Sequence, residues 1–324
     1  MKPALPLYVP EHAEYTKQSI LSSNGKTELA LYRFVPINVP VRAVVQIVHG
    51  MTEYLLRYTK IIDFLCENGF EVWGHDHLGH GNSVRNPEDL GFMDARHGAD
   101  YMIEDTHLVS NAIRAELPGL PLFLLGHSMG SFVVRNYTAR WGDELAGAVY
   151  VGTGGPNSPT GIGCFVASLI GLFCGKRHRS ALLRKIAFSG YLKTYEKGCS
   201  PNAWLTNDPA GLAVYADDPY CNYTFTVRGY HDLFTLLGRV SKKAWARSLP
   251  KDMPVLFLSG DDDPVGQWGK GVTAVYDRLL EAGMTDVTLK LYAGSRHEVL
   301  TDKDREAVRA DLLSWLCDRL SGTV

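Results

Sequence analysis

The ten residues Pro121-Leu-Phe-Leu-Leu-Gly-His-Ser-Met-Gly130 constrain this chain more than any other stretch. The apolar run 121–125 is too short for a helix and reads as a strand buried on both faces. It leads directly into Gly126-His127-Ser128-Met129-Gly130, a G-x-S-x-G pentapeptide, and residues 131–140 have helix-compatible periodicity. Strand, sharp turn and helix in that order place a serine on a strained turn with its oxygen pushed out of a sheet. Side chains two positions either way would strike neighbouring backbone, and glycine at 126 and 130 removes the collision. The turn also aims the Met129 amide at the space in front of Ser128, where the oxyanion of a tetrahedral intermediate would form. A Gly/Ser turn between strand and helix is also used for structure alone, so a chemical reading depends on the partners the rest of the chain supplies.

Size and charge leave room for such a site and exclude little else. A chain of 324 residues holds one large α/β domain with an insertion or two ordinary domains. Its 45% hydrophobic and 21% charged residues suit a globular protein with an ample core. The formal charge of -2 gives no electrostatic argument for nucleic acid. The first ten residues hold one lysine and three prolines and read as neither a signal peptide nor a membrane anchor. Cys66, Cys164, Cys174, Cys199, Cys221 and Cys317 show no paired metal spacing and read as reduced thiols of a cytoplasmic protein, with Cys164/Cys174 or Cys199/Cys221 bridges the less favoured alternative.

Residues 15–21 and 28–34 alternate polar and apolar side chains around Ser22-Ser23-Asn24-Gly25-Lys26, a hairpin signal. The β-branched run 43–48 is a buried strand that delivers His49-Gly50-Met51-Thr52-Glu53 at its carboxyl end, where an α/β sheet places ligand contacts. Helix 58–68, closed by Gly69, strand 70–74, helix 101–117, the strand and helix around Ser128, and strand 146–151 continue the alternation. That rhythm predicts a largely parallel sheet with right-handed crossovers.

Strand 70–74 empties into His75-Asp76-His77-Leu78-Gly79-His80-Gly81-Asn82-Ser83. His75, Asp76, His77 and His80 could together hold a metal, but a hydrolytic zinc site usually presents a helical pair of ligands or a third, distant carboxylate. A tight, hydrogen-bonded turn beneath Ser128 is the preferred reading.

After Gly152 the rhythm changes, and no convincing buried strand occurs before residue 252. Helical stretches at 161–174, 179–187 and 244–248 are separated by Gly and Pro, which predicts a helical cap over the carboxyl edge of the sheet. The expected division is core 1–153, cap 154–251 and core 252–324. Residues 161–174 are nearly all apolar or small and are followed by Lys176-Arg177-His178-Arg179. The stretch is too short to span a bilayer. It is either a helix buried against the core or an exposed apolar lid with a basic edge suited to transient contact with a membrane surface. Trp204, Tyr215, Tyr220, Tyr223, Phe225 and Tyr230 are candidates for a pocket lining or for plain packing.

Alternation resumes with strand 254–259, helix 270–282, strand 287–292 and helix 302–320. A serine hydroxyl needs a base to take its proton, and the base needs an orienting acid. Strand 254–259 ends in Gly260-Asp261-Asp262-Asp263-Pro264, and strand 287–292 is followed by Gly294-Ser295-Arg296-His297-Glu298. The order serine, acid, histidine makes His297 the base. Asp263 is the favoured acid because Pro264 stiffens the backbone beyond it, with Asp261 and Asp262 as alternatives. The second oxyanion donor is expected from the Met51 amide, after the strand that ends in His49-Gly50.

Taken in order, His49-Gly-Met-Thr-Glu53, His75-Asp-His-x-Gly-His-Gly-x-Ser83, Gly126-His-Ser-Met-Gly130, Gly260-Asp-Asp-Asp263 and Arg296-His297-Glu298 resemble the monoacylglycerol lipase and lysophospholipase branch of the α/β-hydrolases, which also holds serine aminopeptidase-like sequences. The likeness runs from about residue 15 to 320 and is poorest in the cap. It implies an eight-stranded, mostly parallel sheet, a triad of Ser128, Asp263 and His297, an oxyanion hole from the amides of Met51 and Met129, and neither cofactor nor metal. The activity it implies is cleavage of a small acyl ester through an acyl-enzyme. A peptidase or amidase using the same triad is the nearest rival, and a non-catalytic ligand receptor the more distant one. One departure stands out: many members have glycine after Gly130, where this chain has Ser131.

Overall fold

The computed structural model describes residue 4, residues 8–156 and residues 159–320. The expected opening hairpin is β1 (Ala13–Leu21) and β2 (Glu28–Pro36), paired antiparallel from Ala13↔Pro36 to Leu21↔Glu28. In its turn the Asn24 side-chain oxygen accepts from the amides of Lys26 and Thr27 at 2.8 and 2.9 Å. Six further strands follow: β3 (Ala43–Val48), β4 (Phe70–His75), β5 (Leu122–His127), β6 (Gly147–Val151), β7 (Val255–Gly260) and β8 (Val287–Tyr292). All eight join one sheet in the order β1-β2-β4-β3-β5-β6-β7-β8. The pairs β1/β2 and β2/β4 are antiparallel and every pair from β4/β3 onward is parallel. This is the expected α/β-hydrolase architecture.

Every residue of β3 to β7 is buried, which is why these strands read as mostly apolar runs rather than alternating ones. The alternation survives in where the side chains go. Val44, Val48, Leu122, Leu124, Ala148, Tyr150, Val255 and Phe257 pack on one face, with α2 (Gly98–Glu116), α3 (Met129–Trp141) and α9 (Lys270–Glu281). Val45, Ile47, Phe123, Leu125, Val149, Leu256 and Leu258 pack on the other, with α1 (Thr59–Glu67) and α10 (Arg305–Asp318). The core is thus two apolar layers with the sheet between them.

Between β6 and β7 the described residues form five helices and no strand: α4 (Thr160–Cys174), α5 (Ala181–Ala187), α6 (Pro209–Asp217), α7 (Val227–Val240) and α8 (Lys243–Ser248). Helices α6 and α7 were not anticipated. Asp208 caps α6 through the Ala210 amide, and Thr226 caps α7 through the Gly229 amide. Nor is the insertion all peripheral: α7 packs on α2 and α3, and α8 on α3 and α9, so Tyr230, Leu236, Val240 and Trp245 belong to the core.

Helix α4 buries one side of its apolar run and exposes the other. Gly163 and Ala167 are buried, Gly163 against Phe234 of α7. Ile162, Phe165, Leu169, Leu172 and Phe173 are exposed, the last two at 77% and 79%. No disulfide joins any of the six cysteines, so neither considered bridge is present. Among the described residues no helix is long and apolar enough to cross a membrane.

Candidate active site

Strand β5 ends at His127, and the next residue, Ser128, takes a left-handed backbone conformation with φ 53° and ψ -122° before α3 begins at Met129. That conformation is costly for a residue with a Cβ and is held only where the surroundings dictate it. They do so by crowding. A methyl group on Gly130 would stand 2.0 Å from the Val48 carbonyl oxygen, and one on Gly126 2.5 Å from the Gly130 carbonyl oxygen. The glycines let α3 start directly against β3.

The loop after β3 lies against the same turn: a methyl on Gly50 would be 3.1 Å from the Ser128 Cβ. Met51 is half-buried and Met129 fully buried, and both line one cavity with Ser128. The structure therefore brings together the two residues whose amides were expected to face an oxyanion.

Of the three aspartates after β7, only Asp263 reaches the histidine. Its Oδ2 is 2.9 Å from His297 Nδ1, and its Oδ1 accepts the Val265 amide at 2.8 Å. Asp263 is fully buried and His297 is 2% exposed. Asp261 instead accepts the Gly294 amide, and Asp262 pairs with Arg296 at 3.4 Å. With Nδ1 committed to a carboxylate, Nε2 is the nitrogen of His297 left for chemistry.

Residues 203–206 clasp this histidine loop. The His297 amide donates to the Trp204 carbonyl at 3.3 Å and the Glu298 amide to the Leu205 carbonyl at 2.7 Å, while the Trp204 and His297 rings lie 4.9 Å apart. Arg296 Nη1 donates to the carbonyls of Ala203 and Thr206.

Ser128 and His297 open on a single cavity of about 500 Å³ with mostly apolar walls, including Phe132, Phe188, Tyr191 and Leu233. Trp204, Tyr215 and Tyr223 line it as well, whereas Tyr220, Phe225 and Tyr230 do not.

One part of the site escaped the sequence reading. Glu53 is buried, and its carboxylate accepts from the Gly50 amide (2.5 Å), Tyr58 (2.6 Å) and Arg57 (2.8 Å), with His127 Nδ1 at 3.3 Å. Arg57 also pairs with Glu298 at 3.0 Å. Burial alone would raise the Glu53 carboxyl pKa, but the hydrogen bond and charge of His127, with Arg57, hold it well below the usual range. Burial likewise opposes a charge on His127, and the hydrogen bond and charge of Glu53 outweigh it, so that histidine is shifted upward. Nε2 of His127 lies 3.3 Å from the His297 carbonyl oxygen, which ties this network to the second histidine. The His-Gly-x-x-Glu string carried the signal, but only contacts distant in sequence give Glu53 its role.

The histidine-rich turn behaves differently. The His77 amide donates to His49 Nε2 at 3.0 Å, and Asp76 accepts from the amides of Leu55 and Asn82. Four rings, His49, His75, His77 and His80, form a chain of contacts 4.3 to 6.1 Å between centroids. Among the described residues no group of three or more His, Cys, Asp or Glu is arranged to hold a metal ion.

The serine aminopeptidase, S33, family model matches residues 39–304. The monoacylglycerol lipase of Mycolicibacterium smegmatis is 26% identical over 282 residues, covering 86% of this chain and 89% of that one. The monoglyceride lipase of Saccharomyces cerevisiae is 28% identical over 307 residues, with 88% of each covered. Among solved structures, a highly thermostable carboxyl esterase from Bacillus coagulans in complex with glycerol is 31% identical and superposes with a TM-score of 0.88 over 94% of this chain and 99% of that one. Matched over most of its length in family, sequence and fold, the chain belongs to the serine aminopeptidase, S33, family of α/β-hydrolases, on its monoacylglycerol lipase-like branch.

Proposed function

We propose that this protein is a serine carboxylic-ester hydrolase acting on monoacylglycerol or a similar small acyl ester, with residues 154–251 as a cap over the site. The observation that carries the reading is the buried Asp263–His297 hydrogen bond of 2.9 Å opening on the cavity that also holds the strained Ser128. Ser128 Oγ attacks the ester carbonyl while His297 Nε2 takes its proton, and Asp263 fixes the tautomer and stabilises the imidazolium. The amides of Met51 and Met129 receive the oxyanion. The protonated imidazole then gives its proton to the leaving alcohol, and water, activated by the same nitrogen, releases the acid.

The mostly apolar cavity suits an acyl chain, and the names of the relatives point to acylglycerols. An aminopeptidase would need a free carboxylate for the substrate's amino group. The two glutamates in the cavity wall, Glu53 and Glu298, are both committed to Arg57, which favours the ester. The exposed apolar face of α4, followed by Lys176 and Arg177, supports a transient membrane contact that delivers substrate. Six cysteines outside any disulfide support a cytoplasmic location.

The test is a hydrolysis panel of 4-nitrophenyl butyrate, 1-oleoylglycerol, a lysophospholipid and an aminoacyl anilide. Turnover of the esters, lost roughly 10⁴-fold or more in Ser128→Ala, is expected. Full ester turnover by Ser128→Ala, or a preference for the anilide, contradicts the proposal. Serine substitutions at Leu172 and Phe173 are expected to weaken sedimentation with anionic lipid vesicles while short-ester turnover is retained; undiminished sedimentation sinks the membrane contact.

A further inference from the structure

A second set of buried groups stands behind the serine, outside the cavity lining. Ser131 is fully buried on the first turn of α3. Its Oγ lies 2.5 Å from the carbonyl oxygen of Ser128 and 2.8 Å from Thr153 Oγ1. Thr153 is fully buried just beyond β6, and its hydroxyl accepts from Arg135 Nη1 at 3.2 Å. Arg135 is 1% exposed and also donates to the carbonyls of Gly154 and Val240, with its guanidinium 4.2 Å from the Trp245 ring. No carboxylate pairs with it among the described residues. Burial lowers its pKa to about 9, which leaves it charged at neutral pH.

The proton order in this chain is fixed by chemistry. A carbonyl only accepts, so the single Ser131 proton lies on the Ser128 oxygen. The bond between the two hydroxyls is then carried by the Thr153 proton, and Arg135, which only donates, supplies the far end. All three links therefore point the same way, from a buried cation toward Ser128.

The end of the chain matters because of what a peptide bond is. The carbonyl of Ser128 and the N–H of Met129 belong to one planar, conjugated unit. Drawing electron density toward the oxygen makes the N–H a stronger donor, and holding the oxygen fixes the plane in which the N–H points. We infer that Ser131, backed by Thr153 and Arg135, is a positioning residue that orients and polarises the Met129 amide from behind, strengthening the oxyanion hole without touching substrate. The inference rests on the proposed role of Met129 as an oxyanion donor. A glycine at 131 leaves the carbonyl only the Ser131-position amide, which already donates to it at 2.9 Å.

Chains of hydrogen bonds strengthen one another by roughly 10–30% per bond, and an oxyanion donor is worth roughly 10²- to 10³-fold in rate, so the expected effect is about two- to eightfold. The experiment measures kcat and KM for 4-nitrophenyl butyrate, and Ki for an alkyl trifluoromethyl ketone, which forms a tetrahedral oxyanion adduct on the serine. The proteins are the wild type, Ser131→Ala, Thr153→Val and Thr153→Ser. Ser131→Ala is expected to lower kcat about two- to eightfold with KM nearly unchanged and to weaken the ketone by the same factor. Thr153→Val, which keeps volume but loses the hydroxyl, should do the same to a smaller degree, and Thr153→Ser should restore both. The inference is overturned if both quantities stay at the wild-type value, if kcat falls without a parallel loss of ketone affinity, or if Thr153→Ser behaves like Thr153→Val. A fluorophosphonate that fails to label Ser128 in the wild type would instead overturn the underlying reading of the site.

Discussion

Two groups of buried histidines lie within the same fold in opposite electrostatic settings. His297 has a carboxylate 2.9 Å from Nδ1, and His127 has one at 3.3 Å. His49, His75, His77 and His80 have none within hydrogen-bonding reach among the described residues and face each other, a carbonyl or an amide. Burial lowers the pKa of His75 and His80 to about 4 and that of His49 to about 3, leaving neutral, close-packed rings. Burial is common to all six, so it does not make a histidine reactive. On the proposed mechanism, what sets His297 apart is a carboxylate on its remote ring nitrogen together with a place beside Ser128, because the carboxylate orients the ring and stabilises the positive charge a base must acquire.

Removing that carboxylate should convert one group into the other. Asp263→Asn is expected to lower kcat roughly 10⁴-fold, because the amide favours the wrong imidazole tautomer. Asp261→Asn and Asp262→Asn, whose carboxylates serve a backbone amide and Arg296, should change kcat by no more than a few-fold. Equal losses at all three positions would undo the contrast.

The intermediate case is His127. Glu53→Gln removes the charge that shifts His127 upward and half of the pairing of Arg57. A loss of about 3 kcal/mol in urea unfolding is expected, in line with breaking a buried ion pair. The His127 ring, followed by NMR titration, should titrate lower than in the wild type. An unchanged titration would show that Glu53 does not set its charge.

The smallest effect belongs to the turn. Neither ring nitrogen of His75 has a hydrogen-bond partner among the described residues, so His75→Phe should leave ester turnover unchanged. With folded pKa values near 4 and unfolded values near 6.5, these histidines bind protons first in the unfolded chain as pH falls. Their contribution is intact above pH 6.5 and is lost between about 6.5 and 4. Asp76, raised by burial to about 6, works in the other direction, losing stability as pH rises through that value. His75→Phe should therefore flatten the acid limb of stability against pH by about one proton, roughly 1.4 kcal/mol per pH unit. An acid limb as steep as the wild type's would mean that His75 is already charged in the folded protein.

The sheet was readable because each parallel strand is short, apolar and bracketed by helix signals, and because Asn24-Gly25 marks the hairpin. Boundaries moved by one to three residues: α2 begins at Gly98 rather than 101, and β5 runs on to His127. The pairing of three distant loops was legible from strand ends alone, since a parallel sheet puts all of its carboxyl ends on one edge. Which of three adjacent aspartates faces His297 was legible only through Pro264, which favoured Asp263 but left Asp261 and Asp262 open, because one residue of turn decides it. Helix α7 did carry a signal, Thr226 followed by apolar residues at 227, 230 and 234, yet Gly229 and Gly238 disguised it; both lie at close contacts, Gly229 against the Gly91 carbonyl. Ser131 was visible as an oddity, but its partners, Thr153 and Arg135, are joined to it only by the fold.

The most direct measurement is the rate at which a fluorophosphonate modifies the native protein, with the adduct located by peptide mass spectrometry. One adduct, on Ser128, is expected, with its rate cut at least roughly 10³-fold in His297→Ala. Modification of another residue, or an unchanged rate in His297→Ala, would contradict the claim that the strained serine and the carboxylate-bound histidine act together.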